Sequence, residues 1–277
     1  MKIRVLTGVA ILAPAIYLLG WSPKWLFMGV MIVLAERSLY EYFFISRKSG
    51  VKILPVVGYA GCGAVCILQW AALRYSQGIE FAALILLLVL IPSVALWRTP
   101  DLKHYLGSAA ATLFGVFYVA FSFSCLFPLR FANLGFGLAN GRQIVFFLFV
   151  VICAGDIFAY FTGRFLGRRL MFPRVSPKKT IEGALGGLAA SLILGWAYTR
   201  WFWHTTDTRL VLLLALCVAI AGQVGDLVES ALKRGADLKD SGDLLPGHGG
   251  LLDRVDSLLL GAPVLWLALL LRNSIHL

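Results

Sequence analysis

Apolar residues fill the chain in long, almost continuous runs separated by short polar segments. Each run is about 17 to 25 residues long, which is the length that a helix needs to cross the hydrocarbon core of a bilayer. The runs are rich in Leu, Val and Ala and lack the alternation of a membrane β-strand, so they predict helices. We place about nine membrane-spanning helices, near residues 5–22, 24–45, 53–73, 79–98, 105–129, 143–166, 183–203, 209–232 and 255–272.

Composition agrees with this pattern. Of the 277 residues, 60% are hydrophobic and 14% are charged, and the mean hydropathy is +0.84. A soluble domain has only about half apolar residues and about a quarter charged ones. We find no fixed-period repeat and no long polar insertion. The expected fold is therefore an all-α polytopic membrane bundle, a single membrane domain over 1–277 with N-terminal helices in 1–130 and the most polar loops in 143–277.

Lysine and arginine are distributed unevenly between the two sets of alternating connections. Most of the 25 fall in one set, which is richest near residues 167–182 and 233–254. Cytoplasmic loops of membrane proteins carry such an excess, so we predict a cytoplasmic N-terminus. The same bias explains the net charge of +11. Because the cations are scattered around helix ends and form no stripe, we expect no nucleic-acid partner.

Acidic residues are concentrated near the C-terminus. Half of the 14 Asp and Glu residues lie between Asp226 and Asp256. Asp226 and Glu229 share one face near the end of the eighth predicted helix, and Asp253 and Asp256 share one face at the start of the ninth. If the two helix ends converge, their oxygens suit Mg²⁺. For any single carboxylate, an ion pair with a nearby cation or a helix cap explains the residue equally well.

Two polar loops carry further candidates. The loop between the eighth and ninth helices supplies Lys233, Arg234 and Lys239 for phosphate groups, and its glycine-rich turn at 246–250 could form an anion-binding backbone nest. The other loop carries Lys178 and Lys179 just before a helix start, a pattern that favours a polyphosphate but is also typical of ordinary juxtamembrane cations.

The sixth predicted helix contains an acidic residue within an apolar run. Asp156 and Tyr160 stand four residues apart, so they lie on one helix face. A carboxylate at this depth is expected to face the bundle interior, a metal ion or a cation.

These residues resemble the CdsA-type phosphatidate cytidylyltransferases, also called CDP-diacylglycerol synthases. The signature reads Ser230-x-Leu232-Lys233-Arg234-x4-Lys239-Asp240-x-Gly242-x2-Leu245-Pro246-x-His248-Gly249-Gly250-Leu251-x-Asp253-Arg254-Val255-Asp256. Similarity continues backward through Gly225-Asp226-Leu227-x-Glu229, Ser176-Pro177-x-Lys179-Thr180 and Asp156-x-x-Ala159-Tyr160-x-x-Gly163-Arg164. It covers the C-terminal half, which makes 143–277 the catalytic part. In the N-terminal half, Glu41-Tyr42 echoes a Glu–aromatic pair of the family.

The resemblance implies that CTP and phosphatidic acid react to give CDP-diacylglycerol and pyrophosphate, with Mg²⁺ required and room for a second cation. It implies a multi-pass protein of the bacterial cytoplasmic (inner) membrane that acts in phospholipid biosynthesis. The implied metal ligands are Asp226, Asp253 and Asp256. The implied catalytic residues are these three with Lys233, Arg234, Lys239, Asp240 and His248. The implied substrate-binding residues are Asp156, Tyr160, Ser176, Lys178, Lys179, Thr180, Ser230, Gly249, Gly250 and Arg254.

Other functions compete with this interpretation. A CTP-dependent polyprenol kinase or an ether-lipid cytidylyltransferase would need similar loops. A CDP-alcohol phosphotransferase is disfavoured because the chain has no DGxxAR segment. A transporter also places acids within helices, but the chain shows no inverted repeat. A structural scaffold would not explain the clustered acids. Small-residue faces such as Gly58, Gly61 and Ala64 allow close helix packing, and a homodimer is allowed.

Overall fold

The computed structural model describes residues 13–75, 78–132, 140–203, 207–244 and 249–275. Most of this backbone is helical. We number the helices α1 (residues 13–20), α2 (Lys24–Lys48), α3 (Pro55–Ala72), α4 (Ile79–Arg98), α5 (Leu102–Phe131), α6 (Gly141–Leu166), α7 (Ile181–Trp203), α8 (Thr208–Gly235) and α9 (Leu252–Ile275). Helix α5 contains a π-helical stretch at Val116–Phe121, and α7 ends in another at Thr199–Trp203. The predicted all-α class is confirmed.

Seven of the described helices, α3 to α9, are long and apolar enough to cross a membrane. They match the predicted spans from 53–73 onward, with differences of a few residues at the ends. The predicted span 24–45 corresponds to α2, a continuous helix that carries Glu36, Arg37 and Glu41. The predicted span 5–22 lies mostly outside the described residues. The multi-pass membrane architecture is confirmed, and the cytoplasmic N-terminus stays a prediction.

The connection between α6 and α7 contains a β-hairpin that the sequence pattern did not predict. Its strands are β1 (Leu170–Phe172) and β2 (Ser176–Thr180), which pair antiparallel. Leu170 pairs with Thr180 and Phe172 with Ser176, with an irregularity between the two pairs. Strands of three and five residues are too short to give a clear alternating pattern. The hairpin fixes the backbone of a segment that we expected to be a plain loop.

The chain divides into two compact units. The first unit comprises residues 1–131 and 232–255, and the second comprises residues 132–231 and 256–277. The C-terminal end of α8 and the first residues of α9 therefore belong with the N-terminal helices. The motif segment between α8 and α9 is part of the first unit, although it lies in the C-terminal half of the sequence.

In the first unit, packing fixes the position of α2. The ring of Tyr42 lies against Gly115 of α5, where an added Cβ would meet the ring carbon Cδ1 at 2.6 Å. The Tyr42 hydroxyl donates a hydrogen bond of 2.9 Å to the carbonyl of Ala111. Phe43, the next residue, is fully buried. These contacts also fix the neighbouring carboxylate of Glu41, which is 1% exposed.

The end of α1 is held by a buried arginine of the same unit. Arg130 in α5 donates hydrogen bonds to the carbonyl oxygens of Leu19 at 2.6 Å and Gly20 at 2.8 Å. The last carbonyl groups of a helix have no partner within the helix, so a cation is a favourable cap for them. Arg130 thereby links the ends of α1 and α5.

In the second unit, α6 and α7 pack through small residues. A Cβ at Gly183 would lie 2.8 Å from the carbonyl oxygen of Ala159 and 3.0 Å from the Cα of Gly163. A Cβ at Gly187 would lie 2.6 Å from the carbonyl oxygen of Gly155 and 2.9 Å from the Ala159 Cβ. Four-residue spacing of small residues on both helices permits this backbone approach. The approach brings the polar face of α6 next to the start of α7.

Candidate active site

A cavity of about 530 Å³ lies in the second unit among α6, the hairpin, α7 and α8. Its volume is within the range of small-molecule sites, about 300 to 1,000 Å³. The lining includes three cations and two carboxylates, which are Arg164, Lys178, Lys179, Asp156 and Asp226. Tyr160 and Thr180 also line it. The cavity thus brings together most of the predicted site residues that belong to this unit.

Asp226 and Lys179 form an ion pair at the wall of this cavity. Their side chains are 30% and 31% exposed, so the pair is reached by solvent but only partly screened. One turn further along α8, the hydroxyl of Ser230 donates to Asp226 Oδ1 at 3.4 Å. An ammonium group in this position can exchange its carboxylate partner for a phosphate oxygen of a ligand in the cavity.

The hairpin and the start of α7 position the two lysines. Lys178 and Lys179 lie at the end of β2, and the next residue, Thr180, is the N-cap of α7. The Thr180 side-chain oxygen accepts a hydrogen bond of 3.1 Å from the N–H of Gly183. A helix N-terminus favours negative charge, and the ammonium groups beside it act in the same direction. This corner of the cavity is therefore suited to a phosphate.

Two further residues of the cavity were not among the predicted site residues. Arg164 donates a hydrogen bond of 3.0 Å to the hydroxyl of Tyr160, one turn earlier on α6. Gln223 donates one of 2.9 Å to the carbonyl of Ala184 and so joins α8 to α7. Arg164 is the last residue of the family motif that begins at Asp156, so its place in that motif could have identified it as a candidate. Gln223 lies about the middle of α8 and belongs to none of the motifs, and an uncharged amide within an apolar run was not considered a candidate.

In the first unit, the end of α8 and the start of α9 meet through an ion pair. The ammonium of Lys233 lies 2.6 Å from Asp253 Oδ1, and these side chains are only 12% and 6% exposed. The other oxygen, Asp253 Oδ2, accepts hydrogen bonds from the N–H groups of Ser241 at 2.9 Å and Gly250 at 2.8 Å. The predicted approach of these helix ends is present, and a lysine–carboxylate pair joins them.

The remaining predicted residues are spread over both units. Asp256, in the second unit, accepts a hydrogen bond of 2.7 Å from the N–H of Ser257. In the first unit, Arg234 donates a bond of 2.8 Å to the carbonyl of Leu238. Ser176 lies in β2 but does not line the cavity. Lys239, Asp240 and Arg254 are exposed in the first unit, where Gly249 and Gly250 contact the Asp253 carboxylate. His248 lies outside the described residues.

The carboxylates are chemically suited to Mg²⁺, which prefers oxygen ligands. Among the residues that the structure describes, no group of three or more His, Cys, Asp or Glu side chains could hold a metal ion. Mg²⁺ commonly takes only one or two protein carboxylates and completes its shell with water and substrate phosphates. Asp156 and Asp226 line one cavity and meet that requirement. The donor set therefore fits an ion that is shared with a phosphate ligand.

Sequence reasoning gave little weight to two residues of the first unit. Glu41 in α2 accepts hydrogen bonds of 2.8 Å from the Ser241 hydroxyl and 2.8 Å from the N–H of Leu252. Glu41 was noted only with Tyr42 as a family echo, and Ser241 fell on an unspecified position of the signature. A carboxylate within a predicted membrane span is a functional candidate by default, so Glu41, which falls in the predicted span 24–45, carried a usable signal.

Apolar helices around a cavity of cations and carboxylates define a membrane protein suited to ligands that bear phosphates. A family model, the cytidylyltransferase family, matches residues 2–271. The phosphatidate cytidylyltransferase of Bacillus subtilis (strain 168) is 35% identical, over 98% of each chain. Those of Staphylococcus haemolyticus (strain JCSC1435) and Staphylococcus aureus (strain COL) are 32% and 31% identical, over 96% of this chain and 97% of the relative.

The chain belongs to the cytidylyltransferase family, and it is a nucleotidyltransferase. The resemblance that the signature predicted is thereby confirmed, and the match extends over the N-terminal half as well. A transporter and a structural scaffold are no longer competing interpretations.

Proposed function

We propose that this protein transfers CMP from CTP to phosphatidic acid and so produces CDP-diacylglycerol and pyrophosphate. The observation that carries the proposal is the cavity of the second unit, where Arg164, Lys178 and Lys179 offer cations to phosphates beside Asp156 and Asp226. The relatives named phosphatidate cytidylyltransferase match nearly the whole chain and support the same substrates. The apolar helices would give the enzyme direct access to a lipid substrate.

The proposed step is an in-line displacement. A phosphate oxygen of phosphatidic acid attacks the α-phosphorus of CTP, the bond from that phosphorus to the α,β-bridging oxygen breaks, and pyrophosphate leaves with the electron pair. The second pKa of a phosphate monoester is about 6, so the attacking phosphate is already largely ionised at neutral pH. A strong general base is not required, and catalysis depends on positioning and on neutralising charge.

The residues divide this work by location. In the second unit, Lys178, Lys179 and Arg164 would bind the polyphosphate, and Asp226 would hold Lys179 in position before the nucleotide binds. In the first unit, the Lys233–Asp253 pair would supply a further fixed cation and carboxylate. Mg²⁺, held within the second unit by Asp226 with Asp156 or Asp256, would reduce the repulsion between the two phosphorylated substrates.

We further propose that the reaction takes place at the cytoplasmic face of the bacterial inner membrane. The support is the excess of Lys and Arg in the loop regions 167–182 and 233–254. CTP is a cytoplasmic nucleotide, and a site on that face would receive it directly. Accessibility of a single cysteine introduced at Arg174 to a membrane-impermeant reagent, in intact cells and in inverted vesicles, tests this orientation. Labelling only in inverted vesicles is expected.

The test of the reaction is the fate of CTP labelled at either the α- or the γ-phosphate. Purified enzyme is incubated in mixed micelles that contain phosphatidic acid. We expect the α label in the lipid product and the γ label in pyrophosphate. The γ label in the lipid would refute the proposal and identify a CTP-dependent lipid kinase. Chelation should abolish turnover and added Mg²⁺ should restore it, whereas full activity in excess chelator would remove Mg²⁺ from the proposal.

A further inference from the structure

Glu41 is a buried carboxylate that contacts the motif segment between α8 and α9, and all of these residues belong to the first unit. Its side chain is 1% exposed. Besides the Ser241 hydroxyl, Glu41 accepts hydrogen bonds from two adjacent backbone N–H groups, those of Leu251 at 3.1 Å and Leu252 at 2.8 Å. Leu252 is the first residue of α9. The first N–H groups of a helix lack intrahelical partners, so Glu41 caps α9 from a different helix.

Glu41 and Asp253 share one hydroxyl group. Ser241 Oγ lies 2.8 Å from Glu41 Oε2 and 3.0 Å from Asp253 Oδ2. A serine hydroxyl has one proton, so it donates to one carboxylate at a time. Arg37 lies 3.2 Å from Glu41 on one side, and Lys233 pairs with Asp253 on the other. Each carboxylate thus has a cation on its outer side and shares the Ser241 hydroxyl on its inner side, which offsets the repulsion between the two carboxylates.

The two carboxylates also explain three glycines of the signature. A Cβ at Gly242 would lie 3.2 Å from Glu41 Oε1, and a Cβ at Gly249 would lie 2.7 Å from Asp253 Oδ2. Gly249 also has a φ of +79°, which disfavours any other residue. A Cβ at Gly250 would meet the Glu41 carboxylate and lie 2.8 Å from the N of Gly242. The bare backbone at these three glycines therefore lets the chain approach both carboxylates closely.

We infer that Glu41 is a positioning residue, which holds Ser241 and the start of α9 so that Asp253 and Lys233 keep their places in the reaction. Glu36, the other acidic residue of α2, lies beside Gly63 of α3. Because Glu41 precedes the segment by 200 residues, the N-terminal helices take a direct part in forming the motif. The kinetic part of the inference rests on the proposed function, whereas the contact itself does not.

The first test is hydrogen exchange of the detergent-solubilised protein, read by mass spectrometry. In Glu41→Gln, an amide NH₂ replaces one acceptor oxygen and faces N–H donors. Exchange at Leu251 and Leu252 should become about tenfold faster or more, since hydrogen bonds to a charged group are the stronger ones. Peptides of α3 and α7 should be unchanged. Glu36→Gln, on the same helix but beside Gly63, is the matched control and should leave the segment unchanged.

The second test is kinetic and uses Ser241→Ala as a milder variant. Glu41→Gln should lower kcat about tenfold or more with the KM for CTP within about twofold, because Glu41 does not line the cavity of the second unit. The double variant, Glu41→Gln with Ser241→Ala, should have a kcat only slightly lower than that of Glu41→Gln alone, since both changes break the contact between Glu41 and Ser241. If Glu41→Gln fails to fold, Ser241→Ala alone must show the faster exchange and the lower kcat.

The outcomes separate this inference from the proposed function. Unchanged exchange at 251–252 in both variants, or the same increase in Glu36→Gln, would overturn the positioning role. Faster exchange with unchanged kcat would limit Glu41 to stability and also overturn it. A wild-type protein that transfers no CMP to phosphatidic acid would refute the proposed function, while the exchange result would still report on the contact.

Discussion

Replacing Lys179 by methionine removes an ammonium group and keeps a side chain of similar length. In the wild-type protein this ammonium pairs with Asp226 at the wall of the cavity, and Asp156 is the second carboxylate of the lining. The substitution leaves both carboxylates and removes one of the three lining cations. An incoming polyphosphate would then meet an uncompensated negative charge.

The size of the effect follows from the exposure of the pair. Two unit charges about 4 Å apart interact by about 4 kcal/mol at an effective dielectric constant of about 20. Lys179 is 31% exposed, so part of this energy is screened. A hydrogen bond to a charged group contributes about 1.5 to 3 kcal/mol net. We therefore expect kcat/KM for CTP to fall about 10- to 150-fold.

The assay varies CTP at saturating phosphatidic acid with purified enzyme in mixed micelles. Arg174→Met is the matched control, because it makes the same charge change in the turn of the same hairpin, at an exposed residue that does not line the cavity. Lys179→Arg keeps the charge and should recover part of the activity. The reasoning would be refuted if kcat/KM for CTP of Lys179→Met were within about twofold of the value for Arg174→Met.

Three further predictions concern stability. Asp253→Asn removes the carboxylate that pairs with the nearly buried Lys233, and we expect about 3 kcal/mol or more of lost stability; an unchanged thermal midpoint would contradict this. Gly187→Ala inserts a methyl group against backbone atoms and should destabilise by about 1 to 3 kcal/mol. Gly107→Ala is the control for this substitution, because a Cβ at Gly107 would meet open space, and it should leave the stability unchanged. Arg130→Met removes two hydrogen bonds from the end of α1, which costs about 1 kcal/mol or more of local stability. The rate of amide hydrogen exchange in α1 should therefore rise at least about fivefold. Unchanged exchange would show that other contacts hold α1.

The helices could be predicted from the sequence because their cause is local. An apolar run of sufficient length must form a helix in lipid, whatever its neighbours are. Ends were less certain, because they depend on individual caps. The prediction of 143–166 began two residues late, since α6 starts at Gly141, where Asn140 and Gln143 form a capping box.

The site could be predicted only in part. Asp226, Lys179 and Asp156 were recognisable as candidates from their residue type and setting. Their arrangement could not be predicted, because Asp226 and Lys179 are far apart in sequence and meet only when α7, α8 and the hairpin have packed. The role of Glu41 was hidden for the same reason, since its hydrogen-bond donors in the motif segment lie 200 or more residues away.

Interleaving of the sequence between the two units has a practical consequence for dividing the protein. Cutting between α5 and α6 would yield one polypeptide that lacks the 232–255 part of the first unit and another that carries this part without the rest. Neither product would hold the whole first unit. Co-expression of the two pieces would restore Glu41 to Ser241 only through reassembly in the bilayer, so recovered enzyme activity would serve as a direct reporter of fragment complementation.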